Sequence, residues 1–131
     1  MNRYLALAMS MLVGTALGAA AVEGLHAQAK PPIYQITEID LSAANVDAYS
    51  KDYAPKAQAL IREKGGRPMA GSQNVTALEG NPPTRRVAIT VWDSMEKLQA
   101  YRNSAEFKEL RTTVGDRLAK YRSFTVEGMT E

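Results

Sequence analysis

The side chains that could carry chemistry in this chain are tyrosines, arginines, a strand carboxylate and a serine. The sequence has 131 residues, no cysteine and one histidine, His26, which falls in an apolar N-terminal leader. Without imidazole or thiolate, the folded part of the chain cannot assemble a triad of the Ser-His-Asp or Cys-His type. Zinc, copper and non-haem iron sites draw mainly on the same two residues. No phosphate-binding or dinucleotide-binding glycine motif is present either, so we expect neither a metal nor a cofactor.

The candidates for a pocket or an interface are Tyr34, Glu38, Tyr49, Tyr53, Arg86, Trp92, Tyr101, Ser104 and Arg117. Glu38 is either a general base in a pocket or, as we favour, a strand-end carboxylate paired with an arginine. Arg85 and Arg86 could grip an anionic ligand, or one of them could form structural ion pairs. Arg117 is expected in solvent, although it could reach a carboxylate across a cleft.

The aromatic candidates and the serine could each have either a functional or a structural role. Tyr49, Tyr53 and Tyr101 could offer hydroxyls to a ligand, but their helical spacing is more typical of core anchors with a solvated tip. Trp92 ends a strand and is expected at an interface or a pocket wall. Ser104 is expected to cap a helix rather than to act as a nucleophile, because no base is available to it.

Residues 1–29 have the pattern of an export signal. Arg3 gives a positive start, an apolar run of roughly 18 residues follows, and Ala27-Gln28-Ala29 offers a cleavage site. We predict cleavage after about Ala29, leaving residues 30–131 as one periplasmic or secreted domain with no membrane contact. Because the apolar run is close to the lower limit for a membrane span, an uncleaved N-terminal anchor is the alternative.

The remaining residues alternate between strand and helix patterns. The four strands are predicted at Ile33–Leu41, Arg67–Glu79, Arg85–Trp92 and Tyr121–Glu127. The second is expected to be a bent or bulged edge strand, because Gly71-Ser72-Gln73-Asn74 interrupts it. Pro55 interrupts the apolar stripe of the first helix, so we expect a kink or a break there. The second helix should begin at Asp93 and start again at Ser104. The order predicts a ferredoxin-like βαββαβ α+β fold, a four-stranded antiparallel sheet with helices on one face.

The third strand decides which face of the sheet meets the helices. Its β-branched positions, Val87, Ile89 and Val91, are predicted to pack under the helices. The opposite face is predicted to carry small, mildly polar or aromatic residues, namely Ala88, Thr90, Trp92, Ser123 and Thr125. A solvated antiparallel face normally carries more Lys and Glu, so we expect a second copy to cover it in a homodimer. A pocket could remain between the sheets, or between sheet and helices.

Several fragments of the chain together resemble one known family. They are Tyr34-x-Ile36-x-Glu38-Ile39, Ala48-Tyr49, Gly65-Gly66-Arg67, Leu78-Glu79-Gly80, Arg85-Arg86, Tyr101-x-x-Ser104-x-x-Phe107 and Glu127-Gly128. The resemblance is to the domain-of-unknown-function 1330 family. It implies the dimeric α+β barrel superfamily, which also contains antibiotic-biosynthesis-type monooxygenases, dye peroxidases and muconolactone isomerases. Phe107 stands where relatives often carry Tyr, so a possible phenolic donor is missing.

Two functions fit these observations. The first is an exported homodimer that binds a small organic ligand and could convert it without a cofactor, using Glu38, Arg86 and tyrosine side chains. The alternative is a non-enzymatic envelope or stress-related dimer with no ligand turnover. Nucleic acid is not expected as a partner, because Val87 to Trp92 lacks the aromatic pattern of RNA-binding sheets and the net charge is only +2.

Overall fold

The central strand of the sheet is the first one. In the computed structural model, which describes residues 30–82 and 86–130, the strands are β1 (Ile33–Leu41), β2 (Arg67–Ser72), β3 (Arg86–Trp92) and β4 (Ala119–Glu127). They form one antiparallel sheet in the order β2-β3-β1-β4. This topology confirms the ferredoxin-like prediction. The predicted export signal, residues 1–29, lies outside the described residues.

Helical segments fill the two long connections. The first contains a 3₁₀ turn (Ala43–Asn45), a helical turn (Val46–Ala48), a first π turn (Tyr49–Tyr53) and α1 (Ala54–Glu63). The second contains α2 (Met95–Asn103), α3 (Ala105–Leu110), a second π turn (Arg111–Gly115) and a helical turn (Asp116–Leu118). Both connections lie on the same face of the sheet, which is called here the covered face.

The break expected at Pro55 is present. Pro55 lies in the first turn of α1, where its missing N–H costs no helical hydrogen bond. Its ring would clash with the carbonyl group of residue 51 in a continuous α-helix, and the chain adopts the wider first π turn just before it. The interruption places Tyr49 and Tyr53 on the side facing the sheet, where both are buried.

The ends of the helices are set by local hydrogen bonds. Ser94, not the expected Asp93, caps α2, since its Oγ accepts a hydrogen bond from the backbone N–H of Lys97 at 3.2 Å. Asp93 instead pairs with Arg67 and Lys97. Ser104 caps α3 as predicted and also donates to the carbonyl oxygen of Tyr101 at 2.7 Å.

The edge strand β2 is bulged, as predicted, but shorter than expected. Its register with β3 shifts between Pro68 and Ala70, and the strand ends at Ser72 rather than at Glu79. Proline has no N–H group to donate. It is tolerated here because some N–H positions of a bulged edge strand need no partner in the sheet.

The prediction of which face meets the helices was wrong. Trp92 has no exposed surface and packs with Leu60, Tyr101 and Phe107 of the helical layer. Gln35 and Thr90, which are paired in the ladder, lie on the same covered face and are also buried. The helices contribute large aromatic rings, so small strand residues fit beneath them, and strand hydrophobicity alone does not reveal this.

The other side of the sheet is called here the open face, because none of the described helices covers it. The alternation of the strands places on it Tyr34, Ile36, Val87, Ile89, Val91, Phe124 and Val126. Tyr34, Phe124 and Val126 are exposed by 38, 39 and 50% of their surface. The open face is therefore more apolar than the helix-free face predicted from the sequence, which was to carry Ala88, Thr90, Trp92, Ser123 and Thr125.

Candidate functional site

A cleft of about 240 Å³ opens between the covered face and the helical layer. Strands β1 and β3 form its floor, and α1, the first π turn and residue 111 form its walls. Its polar lining includes Gln35, Thr37, Tyr49, Tyr53, Arg86 and Arg111. Pro55 and the second π turn position this lining, because both π turns contribute residues to it.

Arg111 is the first residue of the second π turn and is held on several sides. Its Nε donates a hydrogen bond to the hydroxyl of Tyr53 at 3.1 Å. Its guanidinium carbon lies 3.5 Å from the ring centroid of Tyr121 and 5.1 Å from that of Phe107. Cation–π contacts of this kind stabilise a partly desolvated guanidinium group. The side chain is half-buried, so its orientation is fixed at the cleft wall.

Arg86 is the first residue of β3 and faces the same cleft. Its guanidinium carbon lies 5.5 Å from the ring centroid of Tyr49. The rings of Tyr49 and Tyr53 lie 5.2 Å apart, and those of Tyr53 and Tyr121 lie 5.9 Å apart. Two arginines and three tyrosines therefore form one continuous cluster.

Three of the tyrosine hydroxyls at the cleft, those of Tyr49, Tyr101 and Tyr121, stay protonated at neutral pH. Burial and the neighbouring Tyr53 raise the pKa of Tyr49 to about 12, although a hydrogen bond from Arg86 opposes the shift. Burial also raises the pKa of Tyr101 and of Tyr121 above the usual range. Each hydroxyl can therefore donate a hydrogen bond at neutral pH. Among the described residues that line the cleft, none is Asp or Glu, so no carboxylate there can act as a base.

A row of polar side chains crosses the covered face beneath the cleft. The indole Nε1 of Trp92 donates to Oε1 of Gln35 at 3.0 Å, and Nε2 of Gln35 donates to Oγ of Ser123 at 3.2 Å. Oγ of Ser123 lies 2.9 Å from Oγ1 of Thr37. This row fixes the amide orientation of Gln35 at the floor of the cleft.

The structure brings some of the predicted candidates together. Tyr49, Tyr53, Arg86 and Tyr101 all line the cleft. Trp92 lies in the core under α1, α2 and α3, and its ring centroid is 5.1 Å from that of Tyr101. It therefore supports the cleft from below and is not part of the open face, where an interface was expected.

The other candidates lie elsewhere. Tyr34 and Glu38 project from the open face, and Oε2 of Glu38 lies 3.5 Å from Nε of Arg122. The carboxylate is thus ion-paired and cannot serve as a base in the cleft. Ser104 is a helix cap. Arg117 is exposed in the Asp116–Leu118 turn, beside the end of β1.

Sequence reasoning missed Arg111, Tyr121, Gln35 and Thr37 as cleft residues. A signal for Arg111 was available, because it follows Phe107 by four residues and shares its helical face. Gln35 and Thr37 alternate with Tyr34 and Ile36 along β1, and this alternation alone does not show which set faces the helices. Tyr121 gave no signal beyond its position near the start of the last strand.

The family model for the domain of unknown function DUF1330 matches residues 32–129. The chain belongs to the DUF1330 family. No curated protein matches it. No helix of the described DUF1330 domain is long and apolar enough to cross a membrane. Its described residues also contain no group of three His, Cys, Asp or Glu side chains that could hold a metal ion.

Solved structures show the same fold at low identity. A protein of unknown function from Rhodopseudomonas palustris is 14% identical with a TM-score of 0.60, covering 86% of this chain and 94% of its own. A Nitrosomonas europaea protein assigned to the antibiotic biosynthesis monooxygenases is 18% identical with a TM-score of 0.58, covering 76% and 92%. SnoaB, a cofactor-independent oxygenase from Streptomyces nogalater, is 14% identical with a TM-score of 0.54, covering 77% and 96%. The DUF1330 domain therefore shares its ferredoxin-like α+β fold with these proteins.

Proposed function

We propose that this protein is an exported homodimer that binds a small organic molecule in the cleft between its sheet and its helices. The observation that carries the proposal is the convergence of Arg86, Arg111 and Gln35 on one cavity that is otherwise walled by aromatic and apolar side chains. A few converging polar groups in a mainly apolar cavity are the usual features of a small-molecule site.

The size of the cavity limits the ligand. At about 240 Å³ it is smaller than the roughly 300–1,000 Å³ typical of sites for drug-sized molecules. The walls include Ala57, Ile61, Ala88 and Phe107, which suit a compact apolar body. A ligand of about one ring with a single polar group fits these walls and the polar floor.

The chemistry of the lining favours binding over proton abstraction. Tyrosines with raised pKa values and arginines are donors at neutral pH, and the described lining has no carboxylate. Cofactor-independent turnover, as in the Streptomyces nogalater oxygenase, would here require a substrate that is already ionised when it binds. A likeness of fold does not transfer an activity, so ligand binding is the core of the proposal.

Export and self-association complete the proposal. Export is supported by the Ala27-Gln28-Ala29 site after an apolar run. A homodimer is supported by the open face, whose apolar side chains extend across β1, β3 and β4. A face-to-face pairing of two such sheets would remove this surface from water, and a twofold arrangement needs only one self-complementary patch.

A variant with a filled cleft tests ligand binding. Ala88 is half-buried on the cleft floor, so Ala88→Leu adds apolar bulk inside the cavity. We expect native mass spectrometry of the wild-type protein, purified from its own cell envelope, to show a retained small molecule that Ala88→Leu lacks. Ala100→Leu on the exposed side of α2 should retain the molecule like the wild type.

The same proteins give a second readout with small aromatic compounds. Ligand-observed NMR should detect binding of one-ring compounds to the wild type and to Ala100→Leu, and not to Ala88→Leu. Equal binding by all three proteins, or no binding to any of them together with no retained molecule, would contradict a ligand site in the cleft.

A further inference from the structure

We infer that the ligand of this cleft is an organic carboxylate with a flat apolar body. The inference rests on the proposed ligand-binding function and specifies its substrate class. It is argued from the charge of the lining, the geometry of Arg111 and the shape of the remaining walls.

The charge of the lining is one-sided. The whole chain has 16 basic and 14 acidic residues, so the two signs are nearly balanced. The described residues that line the cleft, however, include Arg62, Arg86 and Arg111. None of these described lining residues is acidic. A recess with charges of one sign and low-dielectric walls concentrates the field and attracts ions of the opposite sign. A neutral ligand would gain no charge–charge attraction from this arrangement, and a cationic ligand would be repelled by it.

Arg111 has the geometry of an anion receptor. Its Nε is committed to Tyr53, and its guanidinium plane is held against Tyr121 at 3.5 Å. Within residues 30–82 and 86–130, no carboxylate forms an ion pair with it and no acceptor bonds to its Nη groups. A guanidinium group recognises a carboxylate through two parallel N–H···O bonds, which are shorter and stronger than neutral hydrogen bonds. Because the side chain is already oriented, little conformational entropy is lost when the anion binds.

The surroundings of Arg111 select a flat body. The rings of Tyr49, Tyr53 and Tyr121 form a row of tilted contacts. The ring centroid of Phe107 lies 5.1 Å from the guanidinium carbon of Arg111. Aromatic pairs favour offset and tilted arrangements, which a further ring can join. The hydroxyl of Tyr49, whose pKa is raised by burial, can donate to the second oxygen of a carboxylate.

Matched pairs of compounds separate charge from shape. Benzoate and benzamide have almost the same outline, as do phenylacetate and phenylacetamide, but only one member of each pair is an anion. We expect isothermal titration calorimetry at neutral pH to show each carboxylate binding at least tenfold more tightly than its amide. Raising the KCl concentration should weaken binding of the carboxylates and leave that of the amides unchanged.

Substitution of Arg111 tests the receptor itself. Arg111→Gln should reduce carboxylate affinity at least tenfold and leave amide affinity within about twofold of wild type. Arg117→Gln removes the same charge from the exposed Asp116–Leu118 turn and should change neither affinity. Arg111→Lys, which keeps the charge without the planar fork, should recover only part of the loss. If Arg111→Gln does not fold, the salt dependence of the wild-type protein decides in its place.

The outcomes separate this inference from the proposed function. Equal affinity for carboxylates and amides, abolished in both cases by Ala88→Leu, would overturn the carboxylate inference and leave the ligand site standing. Equal loss of affinity in Arg111→Gln and Arg117→Gln would overturn the role of Arg111. Absence of binding by both classes of compound, with no molecule retained from the cell envelope, would overturn the proposed function as well.

Discussion

At the scale of single residues, arginine and tyrosine line the cleft where many ligand sites have histidine or carboxylate. Arg111 and Arg86 are positioned by ring contacts with Tyr121 and Tyr49. None of the described residues that line the cleft is Asp or Glu. The raised pKa of the tyrosines keeps their hydroxyls as donors. These residues can bind and stabilise negative charge, and they cannot remove a proton at neutral pH.

Gln35 provides a test at this scale. Within the described residues, its side-chain amide accepts the hydrogen bond of the buried indole N–H of Trp92. Gln35→Leu removes this acceptor and leaves a buried donor unsatisfied. We expect a loss of about 1–3 kcal/mol in the free energy of unfolding, measured by urea denaturation followed by Trp fluorescence. Gln99→Leu on the exposed side of α2 is the control and should stay within about 0.5 kcal/mol of wild type. Equal stability of both variants would show that the indole bond contributes nothing.

At the scale of elements, two π turns build the cleft. The first brings Tyr49 and Tyr53 to the sheet, and the second begins with Arg111 and ends at Gly115. Gly115 is required there, since a Cβ atom would lie 2.7 Å from Cε2 of Tyr53 and 3.0 Å from the hydroxyl oxygen of Tyr121. The carbonyl of Gly115 also accepts a hydrogen bond from that hydroxyl at 3.0 Å. Both turns are therefore tied to the tyrosines that they position.

Ser104 tests the junction between two helices. It caps α3 and also bonds to the end of α2, so Ser104→Ala removes both interactions. We expect the free energy of unfolding to fall by about 0.5–2 kcal/mol, measured by chemical denaturation, with ligand affinity unchanged. Ser104→Asn restores a capping side chain and should recover most of the loss. A variant that keeps full stability but loses a ligand-dependent activity would point instead to a chemical role for the hydroxyl.

At the scale of the whole molecule, the open face is the surface on which the proposed dimer depends. It carries β-branched and aromatic residues and one buried ion-paired carboxylate, Glu38, whose side chain is only 11% exposed. An isolated domain would leave Tyr34, Phe124 and Val126 in water. We therefore expect this face to be the surface of the proposed dimer, with Tyr34 and Glu38 as the two sequence-derived candidates that lie on it.

Neighbouring residues of β4 test the dimer surface. Phe124 lies on the open face and Thr125 on the covered face, and both side chains are exposed. Phe124→Asp places two carboxylates in a twofold interface and should weaken dimerisation at least about tenfold, measured by analytical ultracentrifugation. Thr125→Asp, with the same added charge one position along, should stay dimeric. A monomeric wild-type protein at micromolar concentration would exclude the proposed dimer.

Much of the fold followed from local signals in the sequence. The bounds of β1, the break at Pro55, the cap at Ser104 and the bulged edge strand all depend on residues close to each other in the chain. Steric limits on proline, hydrogen bonds from capping side chains and the two-residue period of strands act over a few residues, so one sequence can reveal them. Tyr49, Tyr53, Arg86 and Tyr101 were found in the same way, by type and spacing.

The covered face and the completed cleft depended on the tertiary structure. Alternation along β3 places Val87, Ile89 and Val91 on one face and Ala88, Thr90 and Trp92 on the other. It does not show which of the two faces packs against the helices. The choice depends on volume, because the aromatic rings of the helical layer leave room only for small residues opposite them and for one indole between them. Arg111 reaches Tyr53 and Tyr121 across 58 and 10 positions of the sequence. Contacts between residues so far apart in the sequence form only when the chain packs, so the tertiary structure is needed to see them.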